Sequence, residues 1–280
     1  MRIATKIVPD NCDIVLHGDN HEGLKAYHDK AVDKMLNWIM RAKNRFFIHM
    51  GDEIEARTVD HPYYSEPETK LSVPQRQTNF IIKQYEKAAD RGLAWVYGNH
   101  PWMLQRVSNF TEQVCEKFKI PFMGCEGRLI LNRKNGKQIC RVFLGHPFRL
   151  FLGSKVDPPE RARINNAIKL KRELKHKAAD CLVMAVGHTH RLLVQPPTSH
   201  LLITCDNGDL QQSYTGQGDG SARIIHPDER WYASCGSFLR SQMMDCDTYS
   251  ERLGYDPIEL GYVVMEIRDA KVKQLREVRV

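Results

Sequence analysis

Eight short apolar runs, each of strand length, set the limits on what this chain can fold into. They are CDIVLHG (12–18), RFFIHMG (45–51), LAWVYG (93–98), ICRVFLG (139–145), CLVMAVG (181–187), LLITC (201–205), RWYASCG (230–236) and LGYVVMEI (260–267). Continuous apolar strands of this length suit a sheet buried on both faces. Between the early runs the apolar residues take up a helical period. In 24–43, Val32, Met35, Leu36 and Ile39 follow the i, i+3, i+4, i+7 rule, and in 101–118, Met103, Val107, Phe110, Val114 and Phe118 line one face. Strands alternating with helices predict an α/β fold, and the strand-rich later part predicts a second sheet packed on the first.

Two stretches read as loops. Residues 55–77 carry three prolines and no period, and 206–229 are Gly-rich and polar. No repeat or long linker divides the chain, so the expectation is one domain over 1–280. It would carry a basic helical insertion at about 149–180.

The composition, 42% hydrophobic and 27% charged over 280 residues, allows a well-packed core. No run approaches the ~20 apolar residues that a membrane-crossing helix needs. The N-terminus lacks the apolar stretch of a secretory signal, which gives a cytoplasmic protein as the expectation. The eight cysteines form no C-x-x-C pair, which argues against a zinc knuckle or redox motif. Cys12, Cys140, Cys181 and Cys205 border apolar runs and are expected as buried thiols. The net charge of +7 is uneven: residues 149–177 hold nine Lys/Arg against three acids, or +6. Such a stretch either attracts a polyanion or forms one solvated helix face.

Five of the strands run straight into a Gly followed by potential metal ligands. The first is followed by Asp19 and His21, the second by Asp52 with Glu53 and Glu55 near. The third leads to Asn99 and His100, the fourth to His146, the fifth to His188 and His190. Ligands just past strand ends in an α/β sheet converge on one edge, where such folds bind. One such piece is an ordinary turn; five in order point to a shared site.

The ordered set GD-x-H, GD-x-x-E, GNH, GH, GH-x-H resembles the calcineurin-like metallophosphoesterase superfamily, over residues 18–190. The segment from CGSFLRS through YSERLGYDPIELGYVV is similar to members found in phages and prophages. The superfamily resemblance implies a four-layer α/β/β/α sandwich of two packed mixed sheets flanked by helices. It implies two divalent metals, one held by Asp19, His21, Asp52 and His190, the other by Asp52, Asn99, His146 and His188, with Asp52 bridging. Mixed imidazole and carboxylate ligands suit Mn, Fe, Zn, Ni or Co better than Mg or Ca, with Mn the first expectation. A metal-activated water would attack a phosphate ester.

His100 is, by the same resemblance, the candidate acid, protonating the leaving oxygen or stabilising charge on the phosphate. Members of the family often follow this His with Asp or Glu; here Pro101 stands there. An orienting carboxylate must come from elsewhere, with Asp19, Glu53 and Glu55 as candidates. Pro101 suits the first position of a helix over 101–118, where its missing N–H costs nothing, and it disfavours helical backbone at His100. Arg57 and Arg106 are candidate phosphate clamps, and Lys169, Lys171, Arg172 and Lys175 candidate contacts to DNA or RNA. His17 and His49 read as core or supporting residues. Tyr63 and Tyr64 would either stack on a base or sugar or anchor their loop. The expected activity is that of a phosphodiesterase or nuclease. A phosphomonoesterase and a non-catalytic phosphate-binding module are the alternatives.

Overall fold

The computed structural model describes the backbone of all 280 residues and every side chain except that of Asp206. One sheet runs in the order β13 (Lys271–Arg279), β12 (Gly261–Arg268), β2 (Cys12–His17), β3 (Arg45–His49), β4 (Gly92–Trp95). Strands β2, β3 and β4 are parallel, and β12 is antiparallel to β2 and β13. The other sheet is ordered β1 (Arg2–Ile7), β5 (Glu126–Asn132), β6 (Gln138–Gly145), β7 (Val183–Val186), β11 (Trp231–Cys235), β8 (Leu192–Gln195). It too is mixed: β6, β7 and β11 are parallel, β1 and β5 are parallel to each other, and the β5–β6 and β11–β8 pairs are antiparallel.

The period of two along each strand builds the layers. Ile14, Leu16, Ile48 and Val96 of the first sheet meet Leu129, Val142, Leu144 and Ala185 of the second, in the apolar layer between them. The alternate residues Val15, Phe47 and Trp95 face out. They pack on α1 (Asp29–Met40), α2 (Pro74–Tyr85) and α4 (Phe110–Phe118) through Met35, Leu36, Ile39, Ile81, Tyr85 and Val114. On the far side, Phe143, Met184 and Tyr232 pack on Leu170 and Leu174 of α5 (Pro159–Leu174). Each fully buried aliphatic or aromatic side chain contributes about 1.5–3 kcal/mol relative to exposure. This is the four-layer α/β/β/α sandwich that the strand pattern and the family resemblance predict. No helix is long and apolar enough to cross a membrane.

Six expectations need correction. The helix expected over 101–118 is two helices: a single turn, α3 (Asn99–Trp102), and α4. Asn109 breaks them apart. Its backbone is non-helical, and its side chain caps α4 by accepting the Glu112 N–H at 3.1 Å. Val107 is consequently 80% exposed rather than on a buried face. The turn also starts earlier than expected, so Asn99 and His100 lie within it and Pro101 is its third residue. That position still lies among the first N–H groups a helix leaves unpaired.

LLITC is not a core strand. It forms β9 (Leu201–Asp206), paired only with β10 (Asp209–Tyr214) in a hairpin outside both sheets. Asn207 and Gly208 supply the two positive φ angles, 51° and 90°, that a two-residue hairpin turn needs. The loop expected at 206–229 therefore begins with a hairpin. Cys205 goes with it and is exposed, while Cys12, Cys140 and Cys181 are buried. The loop expected at 55–77 ends at Pro74, where α2 starts, and in the basic stretch the helix occupies 159–174.

Candidate metal centre

The five strand ends converge because parallel strands share a direction. β2, β3 and β4 end level, with His17 opposite His49 and His49 opposite Trp95; β6 and β7 end level at Gly145 and Val186. The loops that follow turn at once. Asp19, His21, Asp52, His188 and His190 all have left-handed backbones, with φ of 51°, 55°, 54°, 74° and 52°. Non-glycine residues rarely adopt this region, and each costs roughly 1–3 kcal/mol that the surrounding fold must offset. Gly98 permits the closest approach: a Cβ there would lie 2.1 Å from both the backbone N and Oδ1 of Asp52.

The seven predicted ligand residues are brought together. Donor atoms of Asp19, His21 and His190 lie within 4.8 Å of one another, as do those of Asp52, His146 and His188. Asp52 also groups with His21 and His100, so it stands between the two sets. Asn99 Oδ1 lies 3.0 Å from His146 Nε2 and 2.8 Å from His188 Nδ1. Asp19 accepts the His188 N–H at 3.0 Å, and its other oxygen lies 3.6 Å from His190 Nε2.

The chemistry of this donor set fits a cation. His146 Nδ1 donates to the Met50 carbonyl at 2.7 Å, which leaves Nε2 facing Asp52 Oδ2 and Asn99 Oδ1, each 3.0 Å away. Burial alone would lower this imidazole, but Asp52 outweighs it and holds it up at about 9, where a proton is the cation between them. His21 is similar: Nδ1 is tied to Glu55 Oε2 at 2.8 Å, and Nε2 is 3.1 Å from His190 Nε2. Lone pairs that converge in this way need a proton or a metal between them. Burial also pushes the Asp19 carboxyl up to about 8, the mark of a buried carboxylate without enough positive charge nearby. Burial takes His188 down to about 4 and His190 well below its usual value, which favours the neutral, metal-ligating imidazole. For Asp52, burial acts upward, but His146 and His100 outweigh it and hold the carboxylate well below its usual range.

His100 is held by Glu55. Its Nδ1 lies 2.9 Å from the Glu55 carbonyl oxygen and 3.3 Å from Oε2, while its backbone N–H donates to Asp52 Oδ1 at 2.8 Å. Burial alone would lower the imidazole; Glu55 and Asp52 overcome that and hold it up at about 9. Of the other carboxylates considered, Glu53 accepts from Thr111 and from Trp95 Nε1, and Asp19 faces His188. His17 and His49 lie fully buried behind the site. His17 stacks on Tyr85 at 5.8 Å and His49 on Trp95 at 4.1 Å.

The centre opens on one side, and a groove lies beside it on another. On the side of His21, His100 and His190 lies a cavity of about 400 Å3. Arg57 lines it, paired with Glu55 Oε1 at 2.7 Å. Next to His146, whose own side chain is fully buried, lies a second groove lined by Phe148, Arg149, Lys169, Arg172 and Lys177. The remaining substrate candidates are elsewhere. Lys171 is ion-paired with Asp228, Lys175 lines neither opening, and Arg106 is exposed in the turn between α3 and α4 and lines neither. Tyr63 meets Tyr249 edge-on at 6.0 Å, and Tyr64 sits with it around a small pocket beside Arg57.

Sequence reasoning missed the cavity's outer wall: Phe151, Arg191, Arg240, Tyr249 and Tyr255. None belongs to a strand-end motif. The one signal was the aromatic YSERLGY stretch after the last Gly-rich loop.

No family model and no curated protein matches the chain. Among solved structures it is similar to the calcineurin-like phosphoesterase YfkN from Bacillus subtilis. The two share 11% identity over 96% of this chain and 90% of that one, with a TM-score of 0.40. It is also similar to the NAD nucleotidase NadN of Haemophilus influenzae, at 11% identity over 96% of this chain and 50% of that one, with a TM-score of 0.42. The chain thus spans half the length of that nucleotidase. Likenesses this distant carry nothing about the reaction.

Proposed function

We propose that this protein is a metal-dependent phosphoesterase of the calcineurin-like kind that hydrolyses a phosphodiester, with a nucleotide or nucleic acid as substrate. What supports the diester reading is space on two sides of the site, the cavity lined by His100 and the basic groove that lies next to His146. A diester has an organic group on each side of phosphorus, whereas a monoester needs room on one side only.

Asp19, His21, Asp52 and His190 would hold one divalent ion, and Asp52, Asn99, His146 and His188 a second, with Mn the first expectation among Mn, Fe, Zn, Ni and Co. Two such ions against two carboxylates would leave a positive site that attracts the phosphate, lowers the pKa of water and offsets negative charge on the phosphoryl oxygens. The protein's own groups do the rest. Asp52 and Asn99 fix the spacing of the imidazoles. His100, whose imidazole Glu55 holds above its usual value, would give its proton to the departing oxygen. Water adds to phosphorus, the bond to the leaving oxygen breaks, and the proton of water passes to solvent. Glu55 lies against Nδ1 of His100, so the carboxylate missing after His100 is no motive for a non-catalytic reading.

Lys169 and Arg172, with Arg149, would carry a polyanionic strand along the second groove. The test is a matrix of Mn, Fe, Co, Ni and Zn against bis-p-nitrophenyl phosphate, p-nitrophenyl phosphate, single- and double-stranded DNA, and RNA. The diester should be preferred over the monoester. Asp52→Asn should abolish turnover and lower bound metal. Preference for the monoester would overturn the diester reading, and a fully active Asp52→Asn would overturn the metal centre.

A further inference from the structure

The walls of the cavity beside His100 are unlike its floor. The floor is the strand-end set of His21, Asp52, His100 and His190. The walls are rings. Phe151 and Tyr255 line the cavity and are 57% and 46% exposed, and Tyr249 meets Tyr255 edge-on at 6.1 Å. Large aromatic surfaces left open inside a cavity are available to a flat partner. The two wall segments are tied to each other by Lys155 Nζ, 3.1 Å from Asp256 Oδ2. At about 400 Å3, the space lies within the usual range of small-molecule sites, about 300–1,000 Å3.

Two guanidinium groups also line it. Arg191 Nε donates to the Leu152 carbonyl at 3.2 Å, and Arg240 donates to the carbonyls of Ala26 and Tyr27 at 3.3 and 3.4 Å. A carbonyl orients a guanidinium without neutralising it. Neither arginine is in an ion pair among the described residues, whereas Arg57 is paired with Glu55. Two oriented guanidinium groups without a carboxylate partner can hold an anion.

We infer that this cavity binds the leaving side of the substrate as a nucleotide-like group. A heteroaromatic ring stacks against Tyr249, Tyr255 and Phe151, and one phosphate beyond the scissile one is held by Arg191 and Arg240. Assigning it to the leaving side rests on the phosphodiesterase reading; the binding chemistry does not. Tyrosine hydroxyls and Ser250 among the rings suit the polar edge of a heterocycle better than an alkyl chain.

The test is calorimetric binding to the metal-loaded protein of four inert probes: α,β-methylene-ADP, methylenediphosphonate, adenosine and octylphosphonate. The first should bind at least about tenfold tighter than any of the others, the order expected of one stacked base. Tyr249→Ala, and Arg191→Gln with Arg240→Gln, should each remove about tenfold of that affinity, and Tyr249→Phe should keep it. Methylenediphosphonate binding as tightly as the nucleotide analogue would reduce the cavity to an anion site. Octylphosphonate binding more tightly would make it an apolar-tail site. Unchanged nucleotide binding in the alanine and glutamine variants would place the nucleotide elsewhere; any of the three overturns the inference. Loss of the phosphodiesterase reading would show separately, as absence of diester turnover with binding intact.

Discussion

Glu55→Gln is the most demanding test of the site, because one carboxylate serves two imidazoles. Glu55 is 3% exposed, with Oε2 2.8 Å from His21 Nδ1 and 3.3 Å from His100 Nδ1, and Oε1 2.7 Å from Arg57 Nε. Glutamine keeps the shape but removes the charge, and in either amide orientation it turns an N–H toward a donor. A hydrogen bond to a charged group is worth about 1.5–3 kcal/mol. Loss of about 2 kcal/mol of support for protonated His100 in the transition state corresponds to roughly 30-fold in rate. His21 loses the partner that fixes its tautomer, and such a loss typically costs 10–100-fold in metal affinity or activity.

The expected result is therefore a kcat for bis-p-nitrophenyl phosphate about 30–100-fold lower at saturating metal. The metal concentration for half activity should rise about tenfold or more. Glu53→Gln is the control. Glu53 is as deeply buried, but it contacts Thr111 and Trp95 rather than any imidazole. It should lower the thermal midpoint and leave kcat within about threefold, since it removes none of the histidine contacts counted above. If Glu55→Gln keeps full kcat with full metal, Glu55 does not position the acid. Equal losses in the two variants would mean that burial of charge, not contact with His100, sets the rate.

Three further outcomes follow from the same geometry. His100→Asn should retain metal and lose about 10²–10⁴ of turnover, the usual contribution of a general acid; unchanged turnover means another group is the acid. Gly98→Ala would bring a Cβ to 2.1 Å from Asp52 Oδ1. Metal content should therefore fall sharply while far-UV circular dichroism still reports the sandwich, and normal metal loading would show that the loop can yield. Lys169→Gln with Arg172→Gln should weaken nucleic-acid cleavage and flatten its log–log salt dependence by about 1.5, from about 0.7–0.9 per phosphate contact. Lys171→Gln, which removes an ion pair with Asp228 outside the groove, should not change that slope.

The sheets and the converging ligands were legible because both are written in local spacing. A buried strand needs a continuous apolar run, and a turn at its end needs Gly. The ligand types can then be read one or two residues later, as with Asp19, Asn99 and His188. LLITC had the run without the burial, because apolar content says nothing about which sheet, if any, a strand joins. The Asn207–Gly208 pair after it was the stronger local signal. The helix over 101–118 failed for a similar reason: the apolar period passed unbroken through Asn109, whose capping preference outweighs one or two apolar matches.

The partner of His100 was open from sequence for a deeper reason. In the GNH corner the residue after His is proline, which carries no carboxylate, and His100 already lies within α3. The carboxylate comes instead from the end of a different strand, where Asp52 takes a left-handed backbone at φ 54° and the chain passes beneath His100 on the way to Glu55. The same strained turn thus places a proposed metal ligand, Asp52, and the residue that holds the acid, Glu55, three positions apart. Strain of this kind persists only where the surrounding packing over-determines it. Here only a glycine at 98 leaves room for Asp52 in this turn, and the His100 N–H donates to the same Asp52 carboxylate, which ties the spacing of the proposed ligands to the orientation of His100.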